Sequence, residues 1–442
     1  MIERARGTRD FGPEEMAQRQ IMESVLDSCA TRHGFHRVQT PTFERLDLFT
    51  AKSGAGIVDQ LYAFQDRSDR HLTLRPELTA PVMRMIADGL HASTKPLRLA
   101  YHGPCFRYEE SKKGRYREFF QYGVEVVGAH GPLVDAEVLA LAVAMLDELG
   151  LSDWILRVGH VGILRDILGG FGLRSDTEPA GSSLAEVMRL LDKGDLQGAL
   201  ERIRGASPDV DPEMMHRFSD MVQATSPEPA LEAAHALLDG LGITSDALTA
   251  LESTLSSLSA LAPAPPRLDL DLTVARGLDY YTGMVFEVHV PALGGESQVL
   301  GGGTYRLLHL FGHEDLDPSC GFGLGFDRVL LALEDQGVDL KRIRPGPPRI
   351  AAIAMGGTTE HLLPLVRALR HEGLVADLSV RERNFGRSMR WADATGADVA
   401  LLLGPKDLEA GQVTLKHLES GTQVTAPMEL EAVRDAVLDL LV

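Results

Sequence analysis

The sequence predicts a chain of more than one domain: a strand-rich region, a helical insertion within it, and a separate α/β domain beyond a linker. Three observations carry this. At 442 residues the chain exceeds the size at which a single core stops growing, so two or three domains are expected. Residues near 170–262 have helical spacing almost throughout, broken by the polar turns GLRSDTEPAGSS and GASPDVDP. The stiff segment RPGPP at Arg344–Pro348 then precedes a stretch in which short apolar strands alternate with helices. The expected bounds are 1–344 with the insertion at about 170–262, and 349–442 for the last domain.

Each element has its own signal. Pro13 followed by Glu14 and Glu15 starts a helix, the apolar spacing of Met22, Val25 and Leu26 continues it, and Gly34 closes it. Strand-like FHRVQTPTFE and a polar loop SGAGIVDQ follow. Tyr62 to Asp66 and Leu72 to Leu74 form a hairpin around RSDR that delivers RPELTA to a strand end. A helix is expected from Asp135 to Leu149 and a short strand from Ile155 to Val158. After the insertion, LAPAPPRL returns the chain to strand character in DLDLTV. SCGFGLGFDRVLLAL reads as a strand running into a helix, with Arg328 near the helix start, a place suited to phosphate. Beyond the linker, RIAAIAM, LVADLSV and DVALLLG predict a largely parallel sheet. No Walker-type loop or GxGxxG opens a helix there, which favours a binding module over a nucleotide site.

Composition narrows the class. Apolar residues make up 44%, ample for buried cores, and the three cysteines, Cys29, Cys105 and Cys320, lack any pairing or metal-ligand spacing. No apolar run approaches the roughly twenty residues that span a bilayer, and MIERARGTRD lacks a signal-peptide core. The expectation is a soluble, cytoplasmic protein with no membrane partner and no zinc site. The net charge of −19 opposes nucleic-acid binding as a whole, but binding is local. Basic residues cluster at Lys112, Lys113, Arg115 and Arg117, at Lys341, Arg342, Arg344 and Arg349, and at Arg381, Arg383, Arg387 and Arg390. Any one such cluster is more often a solvated face.

Two separated stretches point to one site: GPCFRYEESKKGRYREFFQYGVEVVG at Gly103–Gly128 and ARGLDYYTGMVFEV at Ala275–Val288. In the first, Arg107, Glu109, Arg115, Arg117, Gln121 and Glu125 share odd-numbered register, so many face one side of a strand pair. Phe106, Tyr108, Phe120, Val124 and Val126 fall on the other side and can pack against a core. A surface hairpin would carry such charges only for a few tenths of a kcal/mol per pair. Several arginines beside a buried carboxylate are costly without a ligand. The pattern suggests a pocket for a phosphate and a small cationic molecule.

The motifs RGTRDFGPEEM, RPELTA, FRYE with GRYREFFQYGVEVVG, RGLDYYTG, GGGTY and GFGLGFDRVLL resemble, in that order, those of histidyl-tRNA synthetases, members of the class II aminoacyl-tRNA synthetases. The resemblance covers essentially the whole chain, and RGLDYY is its most specific element. WADATGADVALLLGPKDLEAGQVTLKHLESG is similar to the family's anticodon-binding domain. The resemblance implies an α+β class II catalytic domain, with a mixed, mainly antiparallel sheet flanked by helices, carrying the helical insertion, plus a C-terminal α/β anticodon-binding domain.

It also implies a chemistry. The carboxylate of histidine attacks the α-phosphorus of ATP, so positive groups must be fixed in advance where charge develops. Arg107 would hold the α-phosphate and carboxylate, Arg328 the γ-phosphate and Arg115 the outer phosphates; Arg276 is the family's extra catalytic arginine, and Mg²⁺ would accompany the β- and γ-phosphates. Glu77 and Thr79 would accept the α-ammonium, with Gln121 at the polar end. Glu125 and Tyr281 would partner the imidazole nitrogens, with Tyr280 adjacent. Arg381, Arg383, Asn384 and Arg387 are expected at the anticodon of tRNA(His), and FHRVQTPTFE around Pro41 matches the class II dimer motif, which implies a homodimer.

Some positions depart from the usual pattern. Glu110, Ser111, Lys112 and Lys113 replace a loop that commonly carries proline and glutamine, RPELTA replaces RPEGTA, and Asp327 stands where glutamate is frequent. The rival reading is a histidine-binding regulatory subunit of ATP phosphoribosyltransferase. That paralogue usually lacks the anticodon-binding domain and parts of the ATP apparatus, whereas Arg107, Arg276 and Arg328 are all present here. A free-standing RNA-binding protein would need neither RGLDYY nor RPELTA.

Overall fold

The computed structural model describes residues 2–53, 55–109, 115–173, 183–262, 266–273, 281–343, 347–381 and 384–441. The chain divides into two compact units, Met1–Arg344 and Pro345–Val442.

The first unit contributes β1 (His36–Arg37), β2 (Phe43–Arg45), β3 (Ala63–Gln65), β4 (His71–Leu74), β5 (Leu97–Phe106), β6 (Glu118–Val127), β7 (Ile155–His160), β8 (Leu268–Leu270), β9 (Tyr281–His289), β10 (Gln298–Tyr305) and β11 (Ser319–Gly325). Eight of them form one sheet in the order β1-β5-β6-β11-β10-β9-β7-β8. Only the outer pairs, β1 with β5 and β7 with β8, are parallel. The interior pairs are antiparallel. β2, β4 and β3 make a smaller sheet, in which the expected hairpin around RSDR is found. The segment read as a polar loop, SGAGIVDQ, instead runs from the helix Leu46–Ser53 into a short 3₁₀ helix, Ala55–Gln60.

Strand alternation decides what each face of the large sheet does. In β6 the even-numbered Tyr122, Val124 and Val126 are buried against the helices Pro13–Arg32 and Pro132–Glu148, which supply Met22, Leu26, Leu139 and Leu146. That leaves the odd-numbered Gln121 and Glu125 on the opposite face, as a period of two requires.

The insertion is helical, with helices Ser183–Asp192, Leu196–Ala206, Pro212–Gln223, Pro227–Leu241 and Asp246–Leu261. Their starts are set by local chemistry: Asp195, Asp211 and Ser245 each accept a backbone N–H as N-cap, and Pro212 and Pro227 occupy first-turn positions. Among the described residues the insertion has no separate core. Val187, Phe218 and Leu237 belong to the same apolar cluster as Leu156 and Phe286 of the sheet, so its apolar helix faces are buried as part of the first unit.

The second unit contains β12 (Arg349–Ala354), β13 (Val375–Leu378), β14 (Val399–Leu403), β15 (Gln412–His417) and β16 (Gln423–Pro427), ordered β13-β12-β14-β15-β16. β13, β12 and β14 are parallel, but β15 and β16 are antiparallel to their neighbours. This corrects the expectation of a largely parallel sheet. The five residues between β15 and β16 are too few for a crossover, so that pair must be a hairpin. β14 is buried on both faces, which is why VALLL reads as a continuous apolar run.

Candidate active site

A cavity of about 500 Å³ opens on the face of the large sheet left by the odd-numbered residues of β6. Glu77, Thr79, Gln121, Glu125 and Tyr281 line it, and so do Arg107, Arg115 and Arg328. Sequence-distant motifs therefore converge on one space. Arg276 and Tyr280 lie outside the described residues, as do residues 110–114 with Lys112 and Lys113.

One end of the cavity is built around Glu125, which is 1% exposed. Tyr101 donates its hydroxyl to Glu125 Oε1 at 2.8 Å, and Tyr305 donates to Oε2 at 2.5 Å. With the Tyr101 proton committed, the Thr79 hydroxyl is the donor in its 3.2 Å contact with the Tyr101 oxygen. A relay Thr79 to Tyr101 to Glu125 results, and the lone pairs of Thr79 remain able to accept. Burial dominates the charge state of Glu125 and pushes its pKa up from 4.5 to about 7; the hydroxyls of Tyr305, Tyr101 and Thr79 oppose that rise, while nearby Glu77 adds to it. Burial likewise raises the phenols of Tyr101 and Tyr281, so both are neutral donors.

Close approach at this end depends on glycine. A Cβ at Gly321 would lie 1.9 Å from Glu125 Oε2, and one at Gly123 would lie 2.4 Å from the Tyr101 ring. Glu77 accepts from Thr79 N at 2.6 Å and from Ala80 N at 3.1 Å, at the start of the helix Thr79–Met85. A carboxylate has about four lone-pair sites, so these bonds orient Glu77 without exhausting it. Gln121 Oε1 accepts from Cys105 Sγ at 3.3 Å, and burial pushes the Cys105 thiol up to about 12.

The other end is arginine-rich. Arg107 Nε donates to the Pro76 carbonyl at 3.0 Å, and its guanidinium lies 5.1 Å from the Phe119 ring centroid. Arg328, in the helix Phe326–Asp335, donates from Nη1 to the Gln298 carbonyl at 2.8 Å. Arg115 sits 3.7 Å from Glu109. Arg117 shares their register but not their direction: it packs on Tyr108 at 4.1 Å and is not among the residues lining the cavity. This end suits polyanions and the other suits a small molecule with N–H donors.

Sequence reasoning missed Tyr101 and Tyr305. Cross-strand register brings Tyr101 there, since it pairs with Gly123, two residues from the Leu99 partner of Glu125, and Tyr305 ends β10. In the second unit, Arg381 and Arg387 are exposed, while Arg383 lies outside the described residues. Asn384 accepts the Arg387 N–H at 3.0 Å as N-cap of the helix Phe385–Ala394, so its side-chain oxygen has a structural use.

A family model described as "Histidyl-tRNA synthetase" matches residues 7–329, and one described as "Anticodon binding domain" matches residues 350–439. The histidine–tRNA ligase of Archaeoglobus fulgidus is 41% identical over 97% of this chain and 98% of its own length. That of Methanosarcina acetivorans is 39% identical over 97% of each. The apo histidyl-tRNA synthetase structure of S. aureus superposes with a TM-score of 0.66 at 29% identity, covering 99% of this chain and 100% of its own. A Bacillus halodurans structure described as an ATP phosphoribosyltransferase regulatory subunit/histidyl-tRNA synthetase is 24% identical with a TM-score of 0.73, covers 91% of this chain and 98% of its own, and shares the fold. The chain belongs to the histidyl-tRNA synthetase family.

Proposed function

We propose that this protein is a histidine–tRNA ligase: it activates L-histidine with ATP to histidyl-adenylate, releasing pyrophosphate, and transfers histidine to the 3′ end of tRNA(His). The observation that carries the reading is one cavity with Glu125 under two tyrosine hydroxyls at one end and Arg107 and Arg328 at the other. Such a site accepts a small cationic amine and a polyanion side by side.

In this reading Glu77 and Thr79 accept the α-ammonium, Gln121 contacts the polar end, and Glu125 and Tyr281 partner the two imidazole nitrogens, with Tyr280 beside them. Arg107 orients the histidine carboxylate and the α-phosphate, Arg276 adds charge at the α-phosphate, and Arg115 and Arg328 take the outer phosphates. Among the described residues no group of three or more His, Cys, Asp or Glu side chains is placed to hold a metal ion. Mg²⁺ would accompany the β- and γ-phosphates of ATP. Preorganised positive charge at the α-phosphate lowers the barrier because it is already in place when charge develops.

The second unit reads the anticodon of tRNA(His) through Arg381, Arg383 and Arg387, with Asn384 fixing the helix that carries Arg387. Exposed Val380 and Phe385 lie next to Arg381 and Asn384 in sequence and suit an unstacked base. The protein works as a homodimer in the cytoplasm. Exposed Phe43 and Phe64, on the small sheet that follows Pro41, support the dimer, and among the described residues no helix is long and apolar enough to cross a membrane. The division of labour at 1–344 and 349–442 follows.

The test is histidine-dependent exchange of labelled pyrophosphate into ATP, followed by charging of tRNA(His). Both activities are expected. Histidine binding without exchange would move the protein to the regulatory paralogues of ATP phosphoribosyltransferase.

A further inference from the structure

The RGTRDF stretch carries family resemblance but has no assigned role, and it lies against the nucleotide end of the cavity. Its attachment is specific. The Gly7 carbonyl accepts from Arg117 N at 2.9 Å, and Gly7, at φ +85°, lets the Arg117 stem approach so closely that a Cβ would lie 2.6 Å from Cγ. Phe11 meets Phe120 edge-on at 6.0 Å. Residues 7–11 thus form a strap along the entry to β6.

Arg9 is the centre of the strap. Its Nη2 donates to Asp327 Oδ1 at 2.6 Å, and its guanidinium lies 3.7 Å from the Tyr116 ring centroid. Arg19 donates to the same Asp327 oxygen at 2.7 Å and lies over Phe11 at 4.1 Å and Phe120 at 4.5 Å. Asp327 Oδ2 accepts the Phe120 backbone N–H at 2.7 Å. One buried carboxylate, 5% exposed, therefore joins the strap, the first helix, the start of β6 and the helix that carries Arg328.

This arrangement is more than a local ion pair. Asp327, Tyr116, Phe120 and Arg328 all line the cavity, and all lie at its arginine-rich end. Two guanidiniums share one carboxylate, and Arg9 Nε and Arg19 Nη2 are buried with no hydrogen-bond partner. Burying unsatisfied cationic nitrogens is unfavourable for stability alone. Its chemical result is an excess positive charge directly behind the wall that faces phosphate.

We propose that the N-terminal strap, acting through Arg9, is a positioning element for the nucleotide wall: it fixes Tyr116 and Phe120 and, through Asp327, the helix bearing Arg328. The inference rests on the reading that this end of the cavity takes ATP. Arg9 touches no reacting atom; it sets the geometry of residues that touch the nucleotide. The strap is therefore a determinant of ATP use and not of histidine affinity.

The test uses the full chain with R9Q and R9K, comparing kcat/KM for ATP in pyrophosphate exchange with the histidine Kd measured by calorimetry without ATP. R9Q removes the charge and the ring contact and is expected to lower kcat/KM for ATP by about tenfold to a hundredfold, while the histidine Kd stays within about twofold. R9K keeps the charge and a bond to Asp327 but lacks the planar face, so a smaller loss of the same kind is expected, roughly threefold to tenfold. R9K also carries the test where R9Q does not fold. Unchanged ATP kinetics, or equal losses for ATP and histidine, would overturn the proposal. Wild-type protein that binds histidine but shows no exchange would overturn the ATP reading itself; normal wild-type exchange that the variants leave intact would remove only the strap.

Discussion

The two ends of the cavity are held in place by different means. At the proposed histidine end, buried groups satisfy one another: Thr79, Tyr101, Tyr305 and Glu125 form one hydrogen-bonded set with the carboxylate 1% exposed. At the proposed nucleotide end, Arg107 and Arg328 are tied to the carbonyls of Pro76 and Gln298. The first end selects, because a ligand lacking the right N–H groups leaves buried acceptors unpaired. The second end stabilises charge. Chemistry that must be exact about one small molecule but generic about phosphate is thus divided between a closed network and a set of tethered cations.

The comparison is broken most severely by E125Q. It preserves shape, but an amide gives one of the two tyrosine donors an N–H₂ instead of an acceptor, and it removes the charge that faces the imidazole. Loss of kcat/KM for histidine by a factor of ~10³–10⁴ is expected, with little change in ATP binding. Steady-state exchange with each substrate varied in turn measures the split. R107A is the counterpart at the other end and should act mainly on kcat, by roughly 10²–10³, since its charge matters most as charge develops at phosphorus. If R107A changed only the histidine KM, the division between the ends would be wrong.

Y305F sharpens the comparison with a smaller change, about tenfold in kcat/KM for histidine. It also has a signed pH effect. The Tyr305 hydroxyl is the largest influence opposing the rise of Glu125, so its removal moves that pKa above about 7. In the proposed reading Glu125 accepts an imidazole N–H more strongly when ionised, so histidine affinity falls as pH drops through its pKa. The histidine KM profile of Y305F should therefore be displaced to higher pH, which KM measured from pH 6 to pH 9 will detect. A scaffold role for Tyr305 would lower affinity without displacing the profile.

Much of this site is legible in the sequence because a strand period is easy to read. The odd register of Gln121 and Glu125 in β6 puts their side chains into one cavity, which Arg107, just past β5, also lines, and RPELTA and GFDR arrive at its two ends. Arg117 shows where the rule stops. It lies where the chain leaves the regular ladder, outside β6, and there parity no longer fixes direction. Tyr101 and Tyr305 were hidden for another reason: an aromatic in a strand has the signature of core, and only the cross-strand register shows that both hydroxyls meet one carboxylate. Asp327 was read only as a replacement for glutamate. Its partners Arg9 and Arg19 are 318 and 308 residues away in sequence, a distance over which no local pattern carries information. The insertion was legible as helix but not as part of the catalytic core, because spacing reveals an apolar face without naming its partner.

The smallest effect concerns stability, and it contrasts Glu125 with Glu23 of the first helix. Burial raises Glu125 from 4.5 to about 7, whereas His102, and then Arg37, lower Glu23 from 4.5 to about 2. A carboxyl whose folded pKa is raised contributes stability that is present below pH 4.5 and lost as pH rises through about 7. A carboxyl whose folded pKa is lowered contributes stability above pH 4.5 that is lost as pH falls toward about 2. E125Q should consequently gain Tm relative to wild type between pH 5 and pH 8, by about 2–4 °C, while E23Q should lose less relative to wild type at pH 3 than at pH 6. Glu23 is about a third exposed, so solvent screening makes its effect the smaller of the two. Thermal unfolding of both variants across that range gives opposite slopes if the histidine end is a buried carboxylate kept for binding at a cost in stability. Parallel slopes would mean that Glu125 is as well compensated as an ordinary ion pair, and the contrast between a selecting end and a charge-stabilising end would then rest on the arginines alone.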